Sequence, residues 1–375
     1  MDFQNFELEY FQSQFEQTVD YNLADSSVQS VDVRDLLGAE AAPLLELPLY
    51  YPEVNGTRLL RERIAALYPN AFAGNVLVTV GASQANSLVC STLLQGGDDV
   101  IVVSPGYRQI WGLARNTGCR VKELVLKPED DWRIDLDQLE QLAGNRTKLI
   151  AVVNPNNPTG SVLSSHEMRS VVEICARTGA WLHADEVYRG TEIDGLETPT
   201  FWGMYDKMIS VNSLSKSLGL GGLRIGWAVA APETIEALWR RHEYALIAAA
   251  GPSMKLAEIA LEPGKRKTLL ERQKSLSREG QKILAGWVKE QKGKFSWKIP
   301  PATSVAFVQS HLDLPSVELA EHIRTTSSVL VAPGAYLGTE NHLRIAIGYG
   351  RERLESALGR IGEAVSRLSS VSIPS

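Results

Sequence analysis

One lysine of this chain stands beside two hydroxyl residues and within reach of an arginine. The segment reads Ser213-Leu214-Ser215-Lys216, and Arg224 follows eight residues after the lysine in a glycine-rich stretch. Lysine amines form Schiff bases with carbonyl compounds, and hydroxyl and guanidinium groups donate the hydrogen bonds that hold a phosphate. The segment therefore predicts a reactive lysine next to a phosphate site. Taken alone, it fits a solvated lysine in a glycine-rich loop equally well.

Two further candidate sites follow predicted strands. The run Gly81-Ala82-Ser83-Gln84-Ala85 comes directly after the apolar run Val76–Val80 and opens a helix. The first N–H groups of a helix are free to bind a phosphate, although many strand-to-helix turns share this composition. Tyr107, in Ser104-Pro105-Gly106-Tyr107, follows the next strand. Its ring could stack on a flat cofactor there, or cap the core.

Two polar residues follow apolar strands further along the chain. Asn157 lies in Asn154-Pro155-Asn156-Asn157-Pro158-Thr159-Gly160, whose prolines and asparagines predict a rigid turn. Asp185 emerges from the apolar run Trp181–Ala184, where an unpaired carboxylate would be costly. Asp185 therefore needs a cationic partner, for which a protonated pyridine nitrogen would serve, or it caps the helix that follows.

These residues are positioned by an alternation of strands and helices between Val76 and Ala230. Apolar β-rich runs separated mostly by amphipathic stretches of helical length indicate an α/β fold with a largely parallel sheet covered on both faces. Ligands bind beyond the carboxyl ends of such strands. The predicted strands are Val76–Val80, Val100–Val103, Leu149–Val153, Trp181–Ala184, Met208–Val211 and Ile225–Ala230, and the helices include Gln84–Leu94, Gln109–Asn116 and Ser165–Thr178.

The chain is long enough for two domains. Its 375 residues exceed the size at which a single core stops growing. Residues 46–250 carry the α/β pattern and are expected to form the large domain. Residues 251–375 combine helices with short strand-like runs, which predicts a smaller α+β domain. The N-terminal segment, residues 1–45, reads as an amphipathic helix, a short extended piece and a second short helix. It is expected to join the small domain and to supply a lid.

Composition argues against several classes of function. A net charge of −6 provides no basic face for nucleic acid. Cys90, Cys119 and Cys175 are spaced for neither a disulfide framework nor a zinc site, and the six histidines form no ligand-spaced group, so no metal is expected. No apolar run approaches membrane-spanning length, and the first residues lack a signal-peptide core. We therefore expect a cytoplasmic protein without membrane or nucleic-acid partners.

Together these motifs resemble those of the class I/II aminotransferases, the fold-type-I enzymes that depend on pyridoxal 5'-phosphate. The matching elements are Asn-Pro-x-Asn-Pro-Thr-Gly at 154–160, Asp-Glu-Val-Tyr at 185–188, and Ser-x-Ser-Lys at 213–216 with its arginine eight residues on. Each is only moderately specific, but they occur in the family's order between Tyr51 and Arg344. The resemblance implies a large domain with a mostly parallel seven-stranded sheet between helices, plus a smaller α+β domain.

The resemblance also implies residue roles. Lys216 would form the Schiff base with the cofactor and then serve as general base and acid at the substrate's Cα. Asp185 would pair with the pyridine nitrogen, and Arg344 would clamp the substrate's α-carboxylate. Asn157 and Tyr188 would hydrogen-bond the ring's phenolic oxygen, with Asn157 also on the substrate side. Tyr107 would stack on the ring face. The phosphate would be held by Ala82, Ser83, Ser213, Ser215 and Arg224. In a homodimer, Tyr51 would reach the partner's site.

The implied reaction is transfer of an amino acid's α-amino group to a 2-oxo acid, but two stretches depart from the family pattern. Residues 22–28 have neither the glycine nor the proline of the family's Gly-x-Pro turn, so the lid and side-chain pocket are not predicted. Residues 245–252 lack the cation that dicarboxylate-specific relatives supply to their partner, which favours a neutral, aromatic or unusual amino acid. The alternatives are a β-eliminating (C–S type) or cyclising lyase of specialised metabolism and a non-catalytic ligand-sensing domain.

Overall fold

A seven-stranded sheet forms the centre of the molecule, in the order β2-β8-β7-β6-β5-β3-β4. The computed structural model describes residues 3–38, 44 and 46–371. Strand β8 runs antiparallel to both of its neighbours, and the other adjacent pairs are parallel. The mostly parallel seven-stranded sheet expected from the sequence is confirmed. Its strands are β2 (Val76–Val80), β3 (Asp99–Ser104), β4 (Arg120–Val125), β5 (Thr147–Val153), β6 (Trp181–Asp185), β7 (Met208–Ser213) and β8 (Ile225–Val229).

The edge strand β4 is the one member of this sheet that the apolar pattern did not predict. It pairs only with β3 among the described strands, and most of its residues are exposed or half-buried. Its sequence, Arg-Val-Lys-Glu-Leu-Val, therefore carries charged side chains where the inner strands carry apolar ones. Edge strands often carry such charges, which discourage pairing with another chain.

Helices cover both faces of the sheet. In β2, Leu77 packs into one apolar cluster and the next residue, Val78, into another, as the alternation of side chains along a strand requires. The described helices of eight or more residues are α1 (Glu7–Phe15), α3 (Arg58–Ala65), α4 (Gly81–Leu93), α5 (Gln109–Asn116), α7 (Ser165–Thr178), α8 (Pro232–Ala245), α9 (Gly251–Ala260), α10 (Pro263–Glu290), α11 (Ser316–Ser327) and α12 (Arg351–Val371); the shorter ones are α2 (Val33–Leu37) and α6 (Leu136–Leu142).

A second, antiparallel sheet has the order β12-β13-β10-β9. The N-terminal segment is joined to this part of the chain by a two-stranded parallel sheet. In it β1 pairs with β11, the strand that precedes β12. These strands are β1 (Tyr21–Asn22), β9 (Phe295–Trp297), β10 (Val305–Ser310), β11 (Val329–Leu330), β12 (Ala332–Pro333) and β13 (His342–Ala346). Among the described helices, none combines the length and the apolar character needed to span a bilayer.

Candidate active site

The carboxyl ends of β2, β3, β5, β6 and β7 and the start of β8 lie along one rim of the central sheet. A pocket of about 670 Å³ opens at this rim. Most of the residues predicted from the sequence line it, although they come from separate elements of the chain. They are Ala82, Ser83, Tyr107, Asn157, Asp185, Tyr188, Ser213, Ser215, Lys216 and Arg224. The predicted residues that do not line the pocket are Arg344 and Tyr51.

The connection from β7 to β8 carries Lys216 and Arg224. Since β7 and β8 are adjacent and antiparallel, the chain turns back at the rim and keeps both side chains near it. Arg224 adopts the left-handed conformation, with φ of 53°, directly before β8 begins. This hairpin-like connection explains why the lysine and arginine are close in sequence, whereas the other candidates are scattered.

One end of the pocket combines a guanidinium with a helix N-terminus. A Cβ on Gly81, the first residue of α4, would lie 2.6 Å from Nη2 of Arg224. A Cβ on Gly226 of β8 would lie 2.4 Å from the backbone nitrogen of Ala82, so this glycine allows α4 to approach the strand. No carboxylate in the described part of the chain pairs with Arg224. Two positive groups brought together without a counter-charge fit a phosphate dianion.

Asp185 is a buried carboxylate at the end of β6. Its Oδ1 accepts a hydrogen bond from the Val187 N–H at 3.1 Å, and the Asn86 side chain also hydrogen-bonds the carboxylate. Burial raises the pKa of Asp185 to about 6, despite the opposing effect of these bonds. Among the described residues no cation forms an ion pair with it. A protonated pyridine nitrogen would supply the missing positive charge.

Asn86 connects Asp185 to the helices behind it, and sequence reasoning missed it. The Asn86 amide donates to Oε1 of Gln109 at 3.0 Å, and its oxygen lies 2.8 Å from Nε2 of His183. Burial lowers the pKa of His183 to about 4, so this imidazole is neutral near pH 7 and adds no charge. Asn86 therefore positions the Asp185 carboxylate by a hydrogen bond and supplies no positive charge. Its position within α4 belongs to no sequence motif from which this role could have been predicted.

Lys216 meets residues of the N-terminal segment. Its Nζ lies 3.7 Å from Oδ1 of Asp25 and donates to Oγ of Ser27 at 3.4 Å. Neither contact was predictable from the sequence, because 189 residues separate Ser27 from Lys216. The segment that departs from the family's Gly-x-Pro pattern is therefore the one that covers the lysine.

Arg344 lies in the wall behind Asn157. Its Nη1 donates to Oδ1 of Asn157 at 3.1 Å, and its Nη2 donates to the carbonyl oxygen of Ala24 at 2.6 Å. The residue is 1% exposed. The guanidinium is thus held in one orientation behind Asn157, and among the described residues its buried Nε is left without an acceptor.

Tyr107 and Tyr188 flank the same pocket. The Tyr188 hydroxyl donates to the carbonyl oxygen of Ser26 at 3.5 Å, and burial raises the pKa of this phenol. The Tyr107 ring packs edge-on against Phe6 of the N-terminal segment, with ring centroids 5.0 Å apart. Burial and then the Glu9 carboxylate, to which it hydrogen-bonds, raise the pKa of Tyr107 well above its ordinary value. Both phenols are therefore protonated donors at neutral pH.

Tyr51 lies outside the pocket of its own chain. Its side chain is 79% exposed, and its neighbours Leu49 and Tyr50 are exposed as well. The structure therefore does not bring Tyr51 together with the other predicted residues within one chain.

Comparisons with known proteins agree with this fold. The sequence profile of "Aminotransferase class I and II" matches residues 49–361. A capreomycidine synthase from Streptomyces vinaceus is 27% identical over 82% of this chain and 79% of its own length. An arginine–pyruvate transaminase from Pseudomonas aeruginosa is 33% identical over 48% of each chain. The crystal structure of a PLP-dependent aminotransferase from Streptococcus suis superposes with a TM-score of 0.91, at 29% identity, over 98% of this chain and 99% of that one.

The match of fold and profile extends over most of the chain, and the pocket offers a lysine amine, a buried carboxylate and a helix N-terminus beside an arginine. These residues fit pyridoxal 5'-phosphate, the cofactor of the family. The chain belongs to the class I and II aminotransferases and is a pyridoxal-phosphate-dependent transaminase.

Proposed function

We propose that the pocket around Lys216 transfers the α-amino group of an amino acid to a 2-oxo acid, with the residue roles expected from the sequence. The observation that carries this proposal is the convergence of Lys216, Asp185 and Arg224 on one pocket. When bound, pyridoxal phosphate supplies an electron sink for the bonds at the substrate's Cα. All the other tasks fall to side chains of this chain.

The proposed cofactor contacts divide by chemistry. Arg224, Ser213, Ser215 and the N–H groups of Ala82 and Ser83 hold the phosphate. Asp185 keeps the ring nitrogen protonated, and Tyr107 covers the ring face. Tyr188 and Asn157 hold the phenolic oxygen. Lys216 holds the cofactor covalently at its aldehyde carbon.

Lys216 and Arg344 divide the work on the substrate. The guanidinium of Arg344 holds the α-carboxylate and thereby fixes the direction of the Cα–H bond. The amine of Lys216, once freed, would remove the Cα proton as general base and would deliver it again as general acid. Because Arg344 holds the substrate's α-carboxylate, loss of the Cα proton is favoured over loss of carbon dioxide.

The substrate is proposed to be an amino acid other than a strict dicarboxylate. Residues 245–252 carry no cation that could reach a partner's site. The relative named arginine–pyruvate transaminase supports a donor of this broader kind.

A cyclising or β-eliminating reaction is the second candidate. The relative named capreomycidine synthase aligns over 82% of this chain, and its name describes a synthase. Such a reaction begins with the same removal of the Cα proton by Lys216. It differs in the fate of the substrate, which loses a β substituent or closes a ring while the cofactor is regenerated.

We further propose that the enzyme is a homodimer in the cytoplasm. The exposed apolar side chains of Leu49, Tyr50 and Tyr51 would be covered by a second copy, and Tyr51 would reach the partner's pocket. Three free cysteines are compatible with a reducing compartment. Sedimentation at twice the 41.2 kDa chain mass is expected, whereas a monomer at micromolar concentration would contradict the dimer.

Reconstitution with pyridoxal phosphate tests the proposed function. The wild-type protein should develop a visible absorption band, which Lys216→Ala should lack and the exposed control Lys289→Ala should keep. Amino donors should then convert the bound cofactor to its pyridoxamine form and release one equivalent of 2-oxo acid. Ammonia or a cyclic product without that conversion would instead establish the second candidate. Absence of the band in wild type would refute both.

A further inference from the structure

The pocket wall formed by the N-terminal segment is acidic. It includes Glu9 and Gln12 of α1, Glu16 directly after α1, and Asp25 after β1, and we call these four residues the acidic wall. The charged residues elsewhere in the pocket lining are Lys216, Arg224 and Asp185, and each of these has a role toward the cofactor. No lysine or arginine of the described chain belongs to the acidic wall.

Three residues of the acidic wall, Glu9, Gln12 and Glu16, lie on the same side of the first helix. They are spaced i, i+3 and i+7, and because Glu16, the C-cap residue of α1, keeps a helical backbone conformation, the three lie on one continuous face. The adjacent face buries Leu8 and Phe11 in the apolar core and so fixes the rotation of the helix. Glu9 also hydrogen-bonds the Tyr107 hydroxyl, which ties the wall to the pocket.

Gln12 adds to the wall a buried amide whose hydrogen bonding the described chain leaves incomplete. The residue is 8% exposed, and its buried side-chain nitrogen has no hydrogen-bond partner within the described residues. A buried polar group without a partner is costly, so this amide is suited to meet a polar ligand. A half-turn about its last bond lets the amide offer its oxygen instead, which suits a donor.

Asp25 contributes negative charge near the lysine. Its carboxylate lies 3.7 Å from Lys216 Nζ, yet its side chain, which lines the pocket, is 42% exposed. It can therefore approach a second cation while it remains near the lysine. Four oxygen-bearing side chains thus line this side of the pocket.

We propose that the acidic wall selects substrates whose side chain ends in a cation, a guanidinium or an ammonium group. This inference rests on the proposed function, because it places the substrate's carboxylate at Arg344 and its Cα at Lys216. Carboxylates form charge-assisted hydrogen bonds with such cations, and they repel the side chains of aspartate and glutamate. Neutral side chains would leave the wall's hydrogen bonds unmade. The wall thus favours cationic amino acids, whereas the sequence alone favoured a neutral, aromatic or unusual amino acid.

A binding comparison tests the wall separately from catalysis. The probes are the guanidino acid that corresponds to arginine without its α-amino group, and its neutral ureido isostere, which differ in charge at the end of the chain. Calorimetric titration of the pyridoxal-phosphate-loaded protein should show the guanidino acid binding about tenfold more tightly or better. The double variant Glu9→Gln/Glu16→Gln should reduce that preference about tenfold. Glu7→Gln, an exposed change on the same helix outside the pocket, should leave it intact.

Steady-state kinetics provide a second test of the acidic wall. The kcat/KM for L-arginine or L-ornithine should exceed that for L-citrulline in wild type, and the double variant should narrow the gap. Equal binding of the two probes, or a preference that the double variant keeps, would overturn the acidic wall as the selective element. Failure of the proposed function gives a different result. In that case no amino acid yields the pyridoxamine form, but the relative affinities of the guanidino and ureido acids still measure the selectivity of the acidic wall.

Discussion

Lys216 and Asp25 face each other in the pocket, with Nζ of the lysine 3.7 Å from Oδ1 of the aspartate. Burial raises the pKa of Asp25, but the Lys216 ammonium and the N–H and hydroxyl of Ser27 outweigh it, so the pKa lies below its ordinary value. A lowered carboxylate pKa means that this pair stabilises the fold above the pKa of unfolded Asp25. That stability is lost as the pH falls through the folded value.

Asp25→Asn should therefore destabilise the cofactor-free protein only slightly. Both side chains are partly exposed, at 26% for Lys216 and 42% for Asp25, so solvent screens the pair. We expect a loss of at most about 1 kcal/mol in the free energy of unfolding at pH 7. Urea denaturation of Asp25→Asn, Lys216→Ala and the double variant measures the coupling directly. A coupling of several kcal/mol, or one that persists when Asp25 is protonated at low pH, would contradict this assignment.

Asp185→Asn should stabilise the cofactor-free protein. Burial raises the pKa of Asp185 from 3.8 to about 6, so the folded protein holds a proton between these values that the unfolded chain has released. Stability contributed by this residue therefore falls as the pH rises from 3.8 to about 6. A neutral amide avoids that loss, and two pKa units correspond to a gain of roughly 3 kcal/mol at pH 7.

The same variant should bind pyridoxal phosphate more weakly, since it removes the carboxylate that pairs with the ring nitrogen. Thermal unfolding with and without cofactor, at pH 4 and pH 7, measures both effects. The stability gain should appear at pH 7 and disappear at the lower pH. If Asp185→Asn destabilised the cofactor-free protein at pH 7 and bound the cofactor normally, Asp185 would be a structural residue.

Gly226→Ala should damage the phosphate end of the pocket. The added methyl would lie 2.4 Å from the Ala82 nitrogen and from the Gly81 carbonyl carbon, so the start of α4 would have to move away from β8. We expect cofactor affinity to fall about tenfold or more, together with some loss of stability. Gly222→Ala is the matched control, because Gly222 lines the same pocket and a Cβ there meets no atom within 4 Å. Equal affinities of the two variants would argue against a phosphate at this helix end.

The sequence predicted the central sheet well, because buried strands have a local signature. Six apolar runs identified six strands, and the charged edge strand β4 lacked that signature. The residues from Ala82 to Arg224 were identified through motifs that follow these strands. Parallel strands bring their carboxyl ends to one rim, so the pocket itself could also be predicted.

The residues of the N-terminal segment could not be placed in this way. The amphipathic pattern of α1 predicts a helix, but it does not reveal which surface the polar face meets. Glu9 contacts Tyr107 and Asp25 contacts Lys216, and in each pair the two residues are far apart in sequence. The substrate-facing wall therefore became visible only in the folded structure.

Arg344→Lys should weaken substrate binding and leave the cofactor in place. The guanidinium donates to both Asn157 and the Ala24 carbonyl and still keeps Nε free, whereas an ammonium has no planar pair of donors for a carboxylate. We expect the KM for the amino acid and for the 2-oxo acid to rise about tenfold or more. The visible band formed with pyridoxal phosphate should persist, because Arg344 is assigned to no cofactor contact. Arg360→Lys, in which an arginine paired with Asp20 is changed, controls for the substitution itself. An unchanged KM combined with loss of the band would show that Arg344 holds the fold and not the substrate.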